Sequence, residues 1–286
     1  MFRLLHISDI HFGPPYVARV GKALLDIARR LELDLVVASG DFTQRAKAHQ
    51  FAEAREFLDA LPSVPQIVVP GNHDVPLYRV YERVFDPYRY YYQYMSDKLD
   101  DVLRFDVAHF VSLNSTAPLQ AITNGRISTE QLDFCEAAFT ETPETAARIV
   151  VAHHPLAPAP DYERRSHMPK SRRALDRFTK LGVEMILGGH LHRAYIGNSL
   201  DVCPGGDREH GIIIVQSGTT TSRRGRARER EKNSFNLIEI EQHCFQITHY
   251  MYFDDADGFE AISRHEFPRA RNKYFSNSYL RNQSNG

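Results

Sequence analysis

Five short strings rich in Asp, Asn and His punctuate this chain. Each directly follows a run of β-forming residues: SDIH after 2–7, SGD after 33–38, PGNHD after 66–69, AHHP at the end of 148–152 and GGHLH after 183–187. Several of the runs are continuously apolar, the pattern of strands covered on both faces. Between them, 17–31 carries Val17, Val20, Leu24, Ile27, Ala28 and Leu31 at helical spacing, and 46–60, 77–85 and 170–180 read as helices too. Ser128 opens S-T-E-Q, a capping box in which Gln131 reaches back to start a helix over 129–139. Further strands are predicted at 105–113 and 211–216, and an antiparallel hairpin at 235–240 and 244–252. Strand–helix alternation early and antiparallel strands late predict an α/β fold, a four-layer αββα sandwich of two mixed sheets flanked by helices. In open α/β sheets ligands collect beyond the carboxyl ends of strands. All five strings fall there.

Bulk properties narrow what such a fold does. A chain of 286 residues, 42% hydrophobic, buries a full core. Lys+Arg 35 against Asp+Glu 36 leaves no global field to hold nucleic acid or an anionic membrane, so no stable nucleic-acid binding is expected. Cys135, Cys203 and Cys244 share no metal spacing, and an odd, dispersed set suggests a reducing compartment and ordinary thiols. The first string starts at Ser8, leaving no room ahead of it for a cleavable signal, and no apolar run approaches the ~20 residues of a membrane helix. The expectation is a cytoplasmic protein. Residues 1–252 are expected to form the catalytic domain and 253–286 a C-terminal extension, frayed from about Asn277.

The strings carry a metal-ligand chemistry. Asp9 and His11 stand two apart at a strand exit, so their side chains can leave on one side, and His190 and His192 repeat that spacing behind Gly188 and Gly189. Asp41 follows Gly40, and Asn72 follows Gly71, at tight turns that aim the side chains inward. Imidazoles, carboxylates and one amide oxygen suit Mn, Fe or Zn, and the lack of thiolates argues against a structural zinc site. Spacing leaves open which of His153 and His154 binds metal. A single histidine in a core strand, such as His6 or His109, is more often a satisfied buried residue. Burying the whole set without a cation is very costly.

In this order the strings resemble the D-x-H, G-D, G-N-H-[DE], H and G-H-x-H pattern of the calcineurin-like metallophosphoesterase superfamily, over residues 1 to about 252. SGDFTQRA, PGNHDVPLY and HHP are most similar to bacterial class III cyclic-nucleotide phosphodiesterases. The resemblance implies two divalent metal ions. Asp9, His11, Asp41 and His192 would hold the first, and Asp41, Asn72, His153 and His190 the second, with Asp41 bridging. His154 then falls to the substrate phosphate or to support of the ligands. His73 would protonate the leaving group, with Asp74 orienting its imidazole. Some relatives carry an acid, Asn or Tyr three residues after the G-D aspartate. Gln44 stands there, so the tyrosine ligand of purple acid phosphatases is missing.

Two cations about 3.5–4 Å apart can share a hydroxide and direct it in line at phosphorus. The expected enzyme is a phosphodiesterase acting on a small-molecule phosphoester, with 3′,5′-cyclic nucleotides as one candidate. The alternatives are a nucleotide-sugar or lipid pyrophosphatase, a broad phosphomonoesterase, and a non-catalytic metal-binding sensor or interaction protein. Two other stretches stand out. DPYRYYYQY, holding Tyr88, Tyr90, Tyr91, Tyr92 and Tyr94, is either aromatic packing or a lid on which a flat group stacks. The basic run from Arg223 to Glu231 is either a solvated loop or a source of a second-phosphate contact through Arg223 or Arg224.

Overall fold

A computed structural model describes residues 1–120, 123–159, 167–201, 211–225 and 232–269. Cys203, the part of the arginine run from 226 to 231 and the polar tail from Asn277 lie outside the described residues.

Among the described residues, twelve strands form two six-stranded mixed sheets. The first contains β1 (Phe2–Ile7), β2 (Leu35–Ala38) and β3 (Gln66–Val68) in parallel. The second takes β4 (Asp101–Arg104), β5 (Ala108–Leu113), β6 (Ala147–Ala152), β7 (Met185–Gly188), β8 (Tyr195–Asn198) and β9 (Ile213–Gln216). The chain then returns to the first sheet with β10 (Ser234–Ile240), β11 (Cys244–Phe253) and β12 (Gly258–Pro268). Spatial order is β12-β11-β10-β1-β2-β3 in one sheet and β4-β5-β6-β7-β9-β8 in the other. Strands β5, β6, β7 and β9 run parallel, with antiparallel β4 and β8 at the edges.

Strand alternation sorts the apolar side chains into three layers. Leu4, Leu35, Val37 and Ile67 meet Phe110, Ile149, Val151, Leu187 and Val215 between the sheets. The outer face of the first sheet, with Leu5, Ile7 and Val36, is covered by α1 (Ala18–Ala28) and α2 (Ala48–Asp59) through Val20, Leu24, Phe51 and Phe57. The outer face of the second is covered by α5 (Thr129–Thr140) and α6 (Ser171–Lys180) through Leu132, Phe139, Leu175 and Phe178. This is the expected αββα sandwich. The capping box is also present: Gln131 N–H donates to Ser128 Oγ at 3.2 Å, and Ser128 N–H to Gln131 Oε1 at 2.9 Å.

Two short helices, α3 (Val80–Phe85) and α4 (Arg89–Tyr94), follow the third string. The tyrosines of this stretch divide. Tyr91 is fully buried and donates to the Val68 carbonyl, Tyr88 is joined to Thr116 and Asn114, and Tyr90 and Tyr94 pack against the core, while Tyr92 is exposed. Packing accounts for four of the five.

The proposed boundary after residue 252 needs correction. Strand β12 pairs with β11 along its length, and Arg269 beyond it makes a buried two-pronged ion pair with Glu184, which directly precedes β7. The hairpin therefore continues into a third strand, and a charge-assisted contact pins its end to the opposite sheet.

Candidate metal centre

All five strings converge on one end of the sandwich, and their backbone explains how. Asp9, His11, Asp41, His190 and His192 all have positive φ, between 54° and 73°. This left-handed region costs non-glycine residues energy, least for Asp, Asn and His, and such outliers gather at functional sites. Both members of each D-x-H or H-x-H pair adopt it, so both side chains turn toward the centre. Supports around these turns hold the strain. Thr219 Oγ1 donates to the Asp9 carbonyl, Thr221 Oγ1 to the Ile10 carbonyl, and Ser8 N–H to Thr220 Oγ1. The strand-end run 217–222 is thus a brace for the first string. Glycine is required where turns touch ligands: a Cβ on Gly40 would stand 2.6 Å from His153 Nδ1, and one on Gly71 2.2 Å from Asp41 Oδ1.

The side chains form two adjoining half-sites. In the first, Asp9, His11, Asp41 and His192 bring one ligand atom each within 4.8 Å of one another, and all are buried. His11 Nε2 lies 3.6 Å from Asp9 Oδ1 and 3.7 Å from Asp41 Oδ2, and His192 Nε2 lies 3.5 Å from Asp9 Oδ1. In the second, His153 Nε2 lies 3.5 Å from Asp41 Oδ1 and 3.3 Å from Asn72 Oδ1, which His190 Nδ1 approaches to 2.8 Å. The two oxygens of Asp41 face different half-sites.

A cation fits this arrangement on the protein's own terms. Asp9 Oδ1, His11 Nε2 and Asp41 Oδ2 are buried without a hydrogen-bond partner among the described residues. Orphaned polar atoms of this density are tolerated where an ion completes them. Burial pushes the imidazoles of His190 and His192 down to about 4 and about 3, and that of His154 well below its ordinary value. All three are therefore neutral at physiological pH, as ligation by His190 and His192 would require. His153 behaves oppositely: burial lowers its value, but the Asp41 charge beside Nε2 more than reverses this and raises it to about 9. A cation between Asp41 and His153 would displace that proton.

The adjacent histidines are distinguished by their Nδ1 partners. His153 Nδ1 faces the Ser39 carbonyl at 2.7 Å. A carbonyl accepts only N–H, so Nδ1 keeps its proton, and Nε2 offers a lone pair once it gives up the proton it holds against Asp41. His154 Nδ1 faces the Ser115 hydroxyl at 2.8 Å, which accommodates either tautomer and lets Nε2 carry the proton. Ser115, 39 residues away, carried no signal beyond its place at a strand exit.

His73 stands beside the first half-site, its ring edge-on to His11 at 4.9 Å. Its Nδ1 faces the Gln44 carbonyl at 3.0 Å, leaving Nε2 for substrate. Burial lowers its imidazole, and the Asp41 charge opposes that shift. The expected orienting role of Asp74 is not what the structure shows. Asp74 accepts the N–H groups of Phe42, Thr43 and Gly71 at 2.9–3.2 Å, clamping the second and third strings together. Its carboxyl is raised to about 7 by burial and then by the Asp41 charge, against those three donors. Gln44 does the orienting through its main chain.

Of the two arginines considered, Arg223 is exposed and anchored through its N–H on the Pro15 carbonyl. Its neighbour Arg224 donates to Gln44 Oε1 at 2.9 Å, and its charge depresses both His73 and His192. His6 and His109 are core residues paired with Ser39 and Thr142.

A double-sheet sandwich with paired carboxylate–imidazole half-sites at its strand ends is the architecture of a metal-dependent hydrolase. The chain belongs to the calcineurin-like phosphoesterase family, whose profile matches residues 2–194, and it is a hydrolase of phosphoester bonds. It is 27% identical over 207 residues to the 3′,5′-cyclic adenosine monophosphate phosphodiesterase CpdA of Escherichia coli K12, an alignment covering 67% of this chain and 70% of the relative. Solved structures share the fold. The purple acid phosphatase PPD1 of yellow lupin superposes with a TM-score of 0.68 at 16% identity, over 94% of this chain and 54% of that one. A dimetal phosphatase from Danio rerio gives 0.62 at 14% identity, over 94% and 99%.

Proposed function

We propose that the chain is a dinuclear metallophosphodiesterase, with 3′,5′-cyclic nucleotides as its leading substrate class. The observation that carries the reading is Asp41, whose two oxygens face separate half-sites with His73 alongside. Asp9, His11, Asp41 and His192 would hold one ion and Asp41, Asn72, His153 and His190 the other. The donor set suits Mn, Fe or Zn. When bound, such ions lower the pKa of water and neutralise phosphoryl oxygens.

The protein's own groups supply the rest. His73, fixed through Nδ1–H by the Gln44 carbonyl, presents Nε2 to the leaving oxygen and, in its protonated form, delivers the Nε2 proton and is left neutral. His154, fixed by Ser115, presents Nε2–H to a phosphoryl oxygen. Asp74 keeps the Asp41 and Asn72–His73 turns in register. The relative CpdA, named for cyclic adenosine monophosphate, supports the cyclic-nucleotide choice.

Arg224 favours a second reading. A guanidinium beside the leaving-group histidine suits a substrate whose leaving group is itself a phosphate, as in a nucleotide-sugar or lipid pyrophosphate. The test is a screen of metal-reconstituted protein on cyclic nucleotides, dinucleotides, nucleotide sugars and phosphomonoesters, ranked by kcat/KM. A cyclic nucleotide at the top supports the first reading. A phosphoanhydride at the top, with the preference lost in Arg224→Gln, replaces it with the second. Inactivity on every phosphodiester, including bis(p-nitrophenyl) phosphate with Mn²⁺, rejects both.

A further inference from the structure

A helix on a globular surface normally turns its apolar stripe inward. The short α3 does the reverse. Tyr78, Val80, Tyr81, Val84 and Phe85 are all exposed, Tyr81 and Phe85 by 75% and 71%, and no residue of α3 is buried. Leu119, 67% exposed, stands with Val84 and Pro87 around a cavity of about 530 Å³ beside them. Among the described residues, the other exposed large apolar side chains, Met1, Tyr92, Val107, Phe134 and Ile262, are dispersed along the chain. A contiguous patch of this kind marks an interaction surface.

Its border is basic and rigidly attached. The Arg45 guanidinium sits 4.8 Å from the centre of the Tyr78 ring, and Arg79 donates to the carbonyls of Arg45 and Ala46, so the 45–47 turn and α3 form one surface. Arg45, Lys47, Arg79 and Arg83 outnumber Glu82 and Asp86, and Arg45 and Lys47 are exposed. Two copies meeting here face to face would oppose like charges. A bilayer bearing anionic headgroups matches both the charge and the aromatic–aliphatic composition, because Tyr and Phe settle at the headgroup level while basic residues meet phosphates.

We propose that α3 and its Arg45–Lys47 border form a membrane-docking surface for anionic phospholipid. The border begins at Arg45, next to Gln44 whose carbonyl holds His73, so the docking surface adjoins the candidate site. A net charge of −1 across the whole chain means that attraction depends on this patch alone.

The test is flotation of the full-length protein with phosphatidylglycerol–phosphatidylethanolamine vesicles against phosphatidylcholine vesicles. Binding is expected on the anionic vesicles and to be at least about tenfold weaker on the neutral ones. Tyr81→Ser with Phe85→Ser should reduce it at least about tenfold, and Arg45→Glu with Lys47→Glu should abolish the lipid preference. Both variants alter exposed side chains, so melting temperature and bis(p-nitrophenyl) phosphate hydrolysis should stay at wild-type values. No binding to anionic vesicles overturns the proposal. So does a dimer, seen by light scattering, that Tyr81→Ser with Phe85→Ser dissolves, since the patch then belongs to a second copy.

Discussion

The two half-sites draw on the same kinds of donor and differ in how those donors are satisfied. In the first, the imidazole nitrogens of His11 and His192 stand 3.5–3.7 Å from the carboxylate oxygens of Asp9 and Asp41, and several of these side-chain atoms have no hydrogen-bond partner among the described residues. In the second, Asn72 Oδ1 already joins His190 at 2.8 Å and His153 at 3.3 Å, while His153 holds a proton against Asp41. Buried groups left open gain the most from an ion, whereas groups already paired must first give something up. The first half-site is therefore the stronger cation trap, and the second is the one whose protonation and hydrogen bonding respond to loading.

The largest expected effect removes what the half-sites share. Asp41→Asn keeps the shape but takes away the charge that faces both, and should lower kcat/KM on bis(p-nitrophenyl) phosphate by on the order of 10³-fold or more. Bound metal, counted by mass spectrometry, should fall at both positions. Loss at only one position would break the shared-ligand picture. His73→Ala should come next, with metal retained and a loss of roughly 10²–10⁴-fold on an alkyl phosphodiester. On a p-nitrophenyl ester, whose leaving group needs little help, the loss should be much smaller. Equal losses on both substrates would remove His73 from the proton-donor role.

The same contrast shows what a sequence reveals. The candidate ligands are legible because each lies in a short string at the end of an apolar strand run, and periodicity locates those runs. Three strands lack that signal: β4 (DVLR), β8 (YIGN) and β12 (GFEAISRHEFP). All are edge strands with partly solvated side chains, so none has a continuous apolar run. Helix α4 carries no helical signal in its sequence, because its tyrosines form an aromatic cluster with no clear period. Roles set by long-range pairing were equally hidden. Asp74 looked like a histidine partner because it follows His73, but its oxygens are taken by the 42–43 main chain. Ser115 and Arg224 reach the centre from 39 and 180 residues away in sequence from their partners.

Comparing one ligand from each half-site sharpens the difference between them. Loading the second half-site requires the Asn72–His190 hydrogen bond to be undone, at a net cost of about 1 kcal/mol. That corresponds to roughly fivefold to tenfold weaker binding. In a Mn²⁺ titration followed by electron paramagnetic resonance, the first equivalent should give an uncoupled signal, and exchange-coupled pairs should appear only with the second. His192→Ala should remove the tighter step, and Asn72→Ala the weaker one. If Asn72→Ala removes the tighter step, the order of the half-sites is reversed.

The smallest effect concerns the proton on His153. Its value rises from 6.5 in the unfolded chain to about 9 in the fold, so the folded state holds the proton more tightly. The stability this contributes is full below pH 6.5 and is lost as pH rises through about 9. Between pH 7 and 9 this loss stands apart from neighbouring titrations. His190 and His192, lowered to about 4 and about 3, gain their stabilising share as pH rises to 6.5, while Asp74, raised to about 7, loses its own between pH 3.8 and 7. Chelator-treated protein should therefore melt a few degrees lower at pH 9 than at pH 7. Metal-loaded protein should not show the drop, because the ion has already displaced the proton. Calorimetry in buffers of different ionisation enthalpy should register release of about one proton at pH 7.5 on filling the second half-site. Parallel melting curves for loaded and chelated protein across this window would mean that His153 is not the protonated ligand, and that the half-sites do not differ in this respect.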